Sequence, residues 1–542
     1  MKKKLRKNTF IQGTLISSSL LIFIKILGAL YVIPFYKIIG TGGGTLYSYA
    51  YNIYTLFLNI STAGIPVAMS MIISEYLALG MYDAKERAKK VGTKVITLLS
   101  IISFVIVFFG SSYFARFLLS DMTGGHSVSE VSLVIKITSF CLLIIPFLSI
   151  IRGYLQGHKF ITVTSFSQVI EQIVRIIVVL LGSYVSIRIL KYSTDIGVSV
   201  ALTGAFFGGL VAYIYLRLKI KNNKELFPKS SKKDDISNKK IFKKIIGYCI
   251  PIVMIAIIDN IYSLIDIKLI VKGLNMVGYS VLEAQTISGI VATWAPKICT
   301  IIIAISVSLI TNIIPHVTSS YAKKDYVEVN NRINQALSTM IILTVPMTVL
   351  LILLSKESYY IFYQYSKYGS TILCFSALCH LFLGVWSVFN SVLQSLKKFK
   401  IIYINSITGL LCNILLDIPM ILLLNKFGLP AYVGTIIATC IGYSISILIV
   451  VCYLKKNMNF KFKATFNIIK KIILPTILII AVIYILKKLV VFDYNMINSF
   501  VSLIFYGMLG SIIFILITYR NNALKSVFGE NFLSVLTKRF KK

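Results

Sequence analysis

Fourteen apolar stretches divide this chain, and its positive charge falls almost entirely in every second gap between them. A run of about 20 apolar residues spans the hydrocarbon core of a bilayer as a helix. Only helices or closed barrels satisfy their backbone hydrogen bonds at that depth. With 57% hydrophobic residues over 542 positions and a mean hydropathy of +0.84, the pattern predicts an all-α polytopic membrane protein. The spans are expected at 10–39, 45–76, 95–119, 128–151, 161–187, 196–216, 245–270, 284–316, 334–354, 369–394, 401–424, 430–453, 466–486 and 497–519. The first two exceed the bilayer thickness, so tilt or kinks are expected in them.

Most of the 56 Lys and Arg residues lie at the amino terminus, in the gaps after spans 2, 4, 6, 8, 10 and 12, and at the carboxy terminus. The positive-inside bias then puts both termini in the cytoplasm and makes the number of spans even. The net charge of +37 is therefore no sign of nucleic-acid binding. Clusters such as Lys239, Lys240, Lys243 and Lys244 sit at membrane ends, where anionic lipid headgroups attract them. The basic start and the span at 10–39 have the outline of a signal peptide, but the span's length and Lys25 inside it read as a retained first helix. The eight cysteines are scattered, without a Cys-x-x-Cys pair, and the four histidines are far apart. Neither a disulfide framework nor a metal site is expected.

The chain repeats itself weakly on either side of a long polar segment. Leu155-Gln156-Gly157-His158-Lys159-Phe160 ends span 4, and Leu393-Gln394-Ser395-Leu396-Lys397-Lys398-Phe399 ends span 10. Tyr82-Asp83-Ala84-Lys85-Glu86 follows span 2, and Tyr326-Val327-Glu328-Val329-Asn330 follows span 8. Both pairs are about 240 residues apart, the signature of internal duplication. The expected organisation is a six-helix bundle at 1–216, a basic cytoplasmic linker at 217–244, a second six-helix bundle at 245–455, and two additional helices with a tail at 456–542. Duplicated bundles of this kind build secondary transporters, with the substrate path near the midplane.

Ionisable residues at bilayer depth are costly and mark cavities, partners or pathways. The first half carries Lys25 in span 1, Arg152 near the end of span 4, and Glu171 and Arg175 in span 5. The second carries Asp259 and Asp266 in span 7, Lys297 in span 8 and Asp417 in span 11. Glu171 and Arg175 are four apart and share a helix face, which fits a structural ion pair or a substrate site. Lys25 has no acid within helical reach and reads either as a cavity cation or as a side chain snorkelling to the headgroups. Asp259, Asp266 and Lys297 are candidate coupling or cavity charges. Gly64 and Pro66 interrupt span 2 and Pro296 interrupts span 8, at corresponding places in the two halves. Broken helices at matching positions point to a transport site and its hinges.

No Gly-x-x-x-x-Gly-Lys-[Ser/Thr] loop is present, and no catalytic Ser-His or Cys-His set is readable. Gly40-Thr41-Gly42-Gly43-Gly44 falls in the outward gap after span 1 and reads as a flexible hinge. Transport without a catalytic step is expected, with no cofactor and with any coupling ion left open.

Three stretches then carry a family resemblance. They are Ser61-Thr62-Ala63-Gly64-Ile65-Pro66-Val67-Ala68 with Ser74-Glu75-Tyr76, Arg152-Gly153-Tyr154-Leu155-Gln156-Gly157 with Ser167 to Arg175, and Ser308-Leu309-Ile310 with Ile314-Pro315-His316-Val317-Thr318. Together they resemble the MurJ-type lipid II flippases and stage V sporulation protein B-like proteins of the multidrug/oligosaccharidyl-lipid/polysaccharide exporter superfamily. The resemblance implies fourteen helices in two six-helix bundles plus two carboxy-terminal helices. It also implies a cationic cavity for the diphosphate of an undecaprenyl-linked saccharide, with Lys25, Arg152, Gln156, Glu171 and Arg175 as the substrate-binding set. The implied partners are the lipid-linked saccharide, anionic membrane lipids and cell-wall synthesis proteins. The sequence departs from the family at Tyr31-Val32-Ile33-Pro34, where an Arg often precedes the proline, and at Met71, where a Lys is common. A flippase for another lipid-linked oligosaccharide and a drug/cation antiporter of the same superfamily are the alternatives.

Overall fold

The computed structural model describes residues 19–20, 23–119, 124–227, 234–300, 303, 317, 320–321, 324–489 and 495–528. These residues form helices joined by short turns and loops, with no strand among them. Eleven described helices are long and apolar enough to cross a membrane. A bent pair, α1 (Phe23–Leu30) and α2 (Val32–Thr62), meets at 41° and makes a twelfth. Residues 301–302 and 304–316 of the expected eighth span, 284–316, lie outside the described residues, so the fold is compatible with fourteen.

Two compact units divide the chain, Met1–Ala292 and Thr293–Lys542. In the first, α1 and α2 are followed by α3 (Ile65–Ala78), α4 (Tyr82–Phe109), α5 (Ser111–Leu119), α6 (Val128–Thr138), α7 (Ile145–Gly157), α8 (Ile161–Tyr184), α9 (Thr194–Leu202), α10 (Gly204–Lys221), α11 (Asn238–Met276) and α12 (Val281–Gly289). Within this unit α3 packs on α7, α8 on α10, and α11 on α2, α3, α4 and α12. Ala68, Ile72, Leu148, Leu155 and Ala212 are fully buried where α3, α7 and α10 meet.

The second unit contains α13 (Tyr326–Leu353), α14 (Ser355–Tyr363), α15 (Gly369–Ser395), α16 (Phe399–Lys426), α17 (Gly434–Met458), α18 (Lys463–Leu489), α19 (Met496–Arg520) and α20 (Ala523–Phe528). Here α16 packs along α17, and α13 lies against both α15 and α18. A buried Asn405 accepts from Trp386 Nε1 at 3.0 Å and donates to Asn390 Oδ1 at 3.2 Å. This joins α15 to α16 through a chain of buried side-chain amide hydrogen bonds.

The internal repeat is legible in the backbone. Lys159 and Lys397 both adopt left-handed conformations, with φ of 66° and 57°. Each follows a helix whose last carbonyls are closed in the same way: Lys159 N to Gln156 O with Phe160 N to Leu155 O, and Lys397 N to Gln394 O with Lys398 N to Leu393 O. The other pair behaves alike at Gly80 (φ 71°) and Lys324 (φ 59°), just before Tyr82 and Tyr326. A left-handed residue after the last turn is the usual helix stop. Lys accepts this conformation at three of the four stops although Gly adopts it more cheaply, so the stops are set by position and not by residue type.

Gly40, with φ 67° and ψ −173°, leaves the helical conformation, so that two helices meet where the gap after span 1 is expected. Gly43 is packed so closely that a Cβ there would lie 2.7 Å from the Thr194 side chain. The glycines serve one kink and one close contact, and the chain between them stays helical.

The polar linker is fastened at both described ends. Phe227 is buried, its ring stacked 5.8 Å from Tyr154 and edge-on 5.0 Å from His158. Burial pushes the His158 imidazole down to about 4, so it stays neutral at physiological pH. Further on, Asp234 Oδ2 accepts from Ala84 N at 2.8 Å, capping the start of α4. Arg87 donates to Asp234 O at 2.7 Å and pairs with Asp83 at 2.8 Å.

Candidate functional site

The charges of the first unit converge on α8. Arg175 Nη2 donates to Glu171 Oε1 at 2.6 Å, the expected one-turn pair. Glu171 is also held from α7, where Arg152 Nη2 lies 2.8 Å from Oε2. Arg152 Nε donates to Ser167 Oγ at 2.9 Å, and Ser167 Oγ donates to Thr164 O at 2.6 Å. One carboxylate therefore bridges two guanidiniums, and the cluster carries a net charge of +1. Arg152 and Glu171 side chains are each 12% exposed, while Arg175 is 28% exposed. The surplus cation is thus locked in orientation yet still reachable. Fixed guanidiniums suit phosphate oxygens, which they bind as planar forks.

Close backbone packing sets the triad's place. Gly208 of α10 lies opposite the Glu171 carbonyl and Gly204 opposite that of Arg175; a Cβ at either would fall 2.5 Å and 2.9 Å from those oxygens. Small residues four apart let two membrane helices approach this closely. Gly208→Val is accordingly expected to push α10 off α8 and to lower the yield of monodisperse protein in detergent severalfold. Wild-type yield from that variant would separate the triad from this packing.

A tyrosine ladder, not anticipated as part of the site, stands beside the triad. Tyr47, Tyr51 and Tyr54 occupy one face of α2, with ring centroids 5.5 Å and 6.3 Å apart in succession. Tyr31 and Tyr47 hydroxyls are hydrogen-bonded to each other. The Arg175 charge reaches Tyr31, Tyr51 and Tyr54. The signal was present in the sequence as Tyr47-Ser48-Tyr49-Ala50-Tyr51-Asn52-Ile53-Tyr54, whose spacing puts three of the four phenols on one helical face. Phenol hydroxyls both donate and accept, which suits a phosphorylated sugar.

The remaining expected residues sit apart from this cluster. Gln156 is half-buried one turn beyond Arg152 and makes no hydrogen bond to the triad among the described residues. Lys25 is exposed on α1 and forms no ion pair among the described residues. It lies three positions from Gly28, where a Cβ would meet Gln172 Nε2 of α8 at 3.3 Å, so the Lys25 face of α1 is turned toward α8. On α11, Asp266 is buried, and the side chain of Asp259 lies outside the described residues. In the second unit Lys297 Nζ stands 4.2 Å from the Trp294 ring centroid, and Asp417 is buried beside Asn413, whose amide donates to it at 3.1 Å.

The expected breaks are visible as geometry. Ala63 leaves the helix with ψ 133°, Gly64 takes φ 82°, and Pro66 sits in the first turn of α3. A side chain at Gly64 would be strained by the φ of 82° and would press on α11, since a Cβ would lie 3.1 Å from the Cys249 backbone. Before Pro296 the helix widens into a π-turn, Ile290–Trp294, a distortion common at functional positions. The helix 8 stretch from Ser308 to Thr318 is described only at Val317.

The family described as "polysaccharide biosynthesis protein" matches residues 10–279, and the MatE family matches 251–418. The chain is 29% identical to lipid II flippase MurJ of Bacillus subtilis (strain 168) over 545 aligned residues, covering 98% of both proteins. It is 24% identical to stage V sporulation protein B of the same organism, over 75% of this chain and 76% of that protein. Among solved structures it resembles lipid II flippase MurJ in an inward closed conformation, with a TM-score of 0.67 and 20% identity over 94% of this chain and 99% of that one. The chain is thus similar over nearly its whole length to a MurJ-type protein and over three quarters of it to a stage V sporulation protein B.

Proposed function

We propose that this protein is a lipid II flippase, moving an undecaprenyl-diphosphate-linked peptidoglycan precursor from the inner to the outer leaflet of the bacterial cytoplasmic membrane by alternating access. The observation that carries this reading is the end-to-end match to the Bacillus subtilis flippase. The oriented surplus cation on α8 supplies a chemical reason. A diphosphate headgroup must leave water for the membrane interior, and a charge-assisted hydrogen bond there is worth about 1.5–3 kcal/mol. The prenyl chain stays in lipid and needs no such compensation. The protein is a transporter and carries out no catalytic step.

The segments 1–216 and 245–455 act as the two moving bundles, 217–244 as their cytoplasmic connection, and 456–542 as accessory helices. Gly64, Pro66 and Pro296 provide the hinges, and Asp259, Asp266 and Lys297 the coupling or cavity charges. Expression in a strain depleted of its own flippase should restore growth and return lipid II to the outer leaflet, where an added lipid II-cleaving reagent reaches it. Rescue of another exported glycan with lipid II still held inside would overturn the reading.

Both termini lie in the cytoplasm in this scheme. A cysteine placed at His126 should label from outside and one at Lys233 only from inside, in a background cleared of native cysteines. The gap around His126 holds no Lys or Arg, whereas the linker is rich in both. Labelling of both positions from one side would sink the fourteen-span arrangement.

A further inference from the structure

At the linker-side end of the first unit, α4, α7, α10 and the start of the linker enclose a cavity of about 490 Å³. Its rim carries Lys89, Arg217, Lys221 and Lys224, and its floor is Tyr154 and Phe227. Lys89 Nζ sits 4.1 Å from the Tyr154 ring centroid. Glu86 is the single acid in the lining, and it is already engaged by the Tyr154 hydroxyl at 2.7 Å and by Lys85 at 3.1 Å. Arg217, Lys221 and Lys224 form no ion pair among the described residues. The lining therefore holds a surplus of positive charge with donors free to turn toward an anion.

The apolar wall says which kind of anion. Ile214 and Leu218 line the same cavity and are 47% and 51% exposed. They continue a stripe of exposed side chains, Phe207 and Val211, up one face of α10. A soluble anion would use the cations and leave this lane empty. An amphiphile uses both, with phosphate at the helix end and a chain along the stripe.

We propose that this cavity is a binding site for an anionic phospholipid of the linker-side leaflet, its phosphate held by Arg217, Lys221 and Lys224 and its acyl chain lying on the Ile214–Leu218 face of α10. The site shares no residue with the α8 triad. It is separate from the transport reading, and binding is read without any flipping assay. Because Lys224 belongs to the linker and Phe227 forms the floor, a bound headgroup also ties the linker to α4 and α10.

The purified full-length protein is reconstituted in nanodiscs of phosphatidylcholine with increasing phosphatidylglycerol, and bound lipid is counted by native mass spectrometry after mild release. Wild type should retain one phosphatidylglycerol that Arg217→Gln/Lys221→Gln/Lys224→Gln loses, with affinity reduced at least tenfold and thermal stability in pure phosphatidylcholine unchanged. If the triple variant does not fold, Lys221→Gln alone should weaken retention by about tenfold, one charge-assisted contact. Retention of the lipid by either folded variant would overturn the proposal. So would an equal stabilisation of wild type by inorganic phosphate or diphosphate in detergent, which would make the cavity a site for a soluble anion.

Discussion

Arg175→Gln should accumulate at wild-type level, stay folded, and fail to rescue a flippase-depleted strain. The geometry makes this outcome specific. Removing Arg175 leaves Glu171 paired with Arg152 at 2.8 Å, so a neutral and satisfied pair remains and no buried charge is stranded. What disappears is the surplus cation, and with it about 1.5–3 kcal/mol of headgroup binding, a factor of roughly 10 to 100. Glu171→Gln behaves in the opposite way. It leaves two largely buried guanidiniums without a carboxylate, a loss of about 3–5 kcal/mol when a buried pair is broken, so folded yield should collapse before transport is tested. Full rescue by Arg175→Gln would remove the triad from the substrate path. Equal loss of folded protein in both variants would reduce it to a packing device.

Lys25→Ala should abolish rescue at normal protein level, and Lys25→Arg should keep part of it. Lys25 contributes nothing to the described packing, being exposed and outside every described ion pair, so its removal strands no partner. Its place one turn from the α1–α8 contact at Gly28 lets its flexible stem bring a second cation toward the Arg175 side of α8. Arginine preserves charge but presents a planar fork where lysine presents a point, which is why partial retention is expected. Normal growth with Lys25→Ala would return this residue to a snorkelling role at the headgroups.

The class of fold was legible because membrane burial writes itself into composition and period, and the repeat because its helix stops recur. The Glu171–Arg175 pair was legible for the same local reason, four residues on one helix. The Arg152 arm was not, since it depends on how α7 meets α8, a contact that no spacing within either helix encodes. The break at Gly40 was legible as a glycine run between two apolar spans, whereas the close packing of Gly43 against Thr194 was not, since it depends on how α2 meets α9. The tyrosine ladder hid among 32 tyrosines, where a face of three phenols is not rare enough to notice until Arg175 is seen beside it.

The linker's two anchors bear on how movement travels. Phe227 and Asp234 are each fixed to the bundle, and the chain between them reaches at most about 25 Å fully extended. Ile236 and Asn238 beyond it are held by Arg87 of α4. The start of α11 is thus geared to the start of α4. A tilt of one helix is transmitted as traction on the other through a polar strap at the membrane edge, in addition to the packing of the two helices on each other.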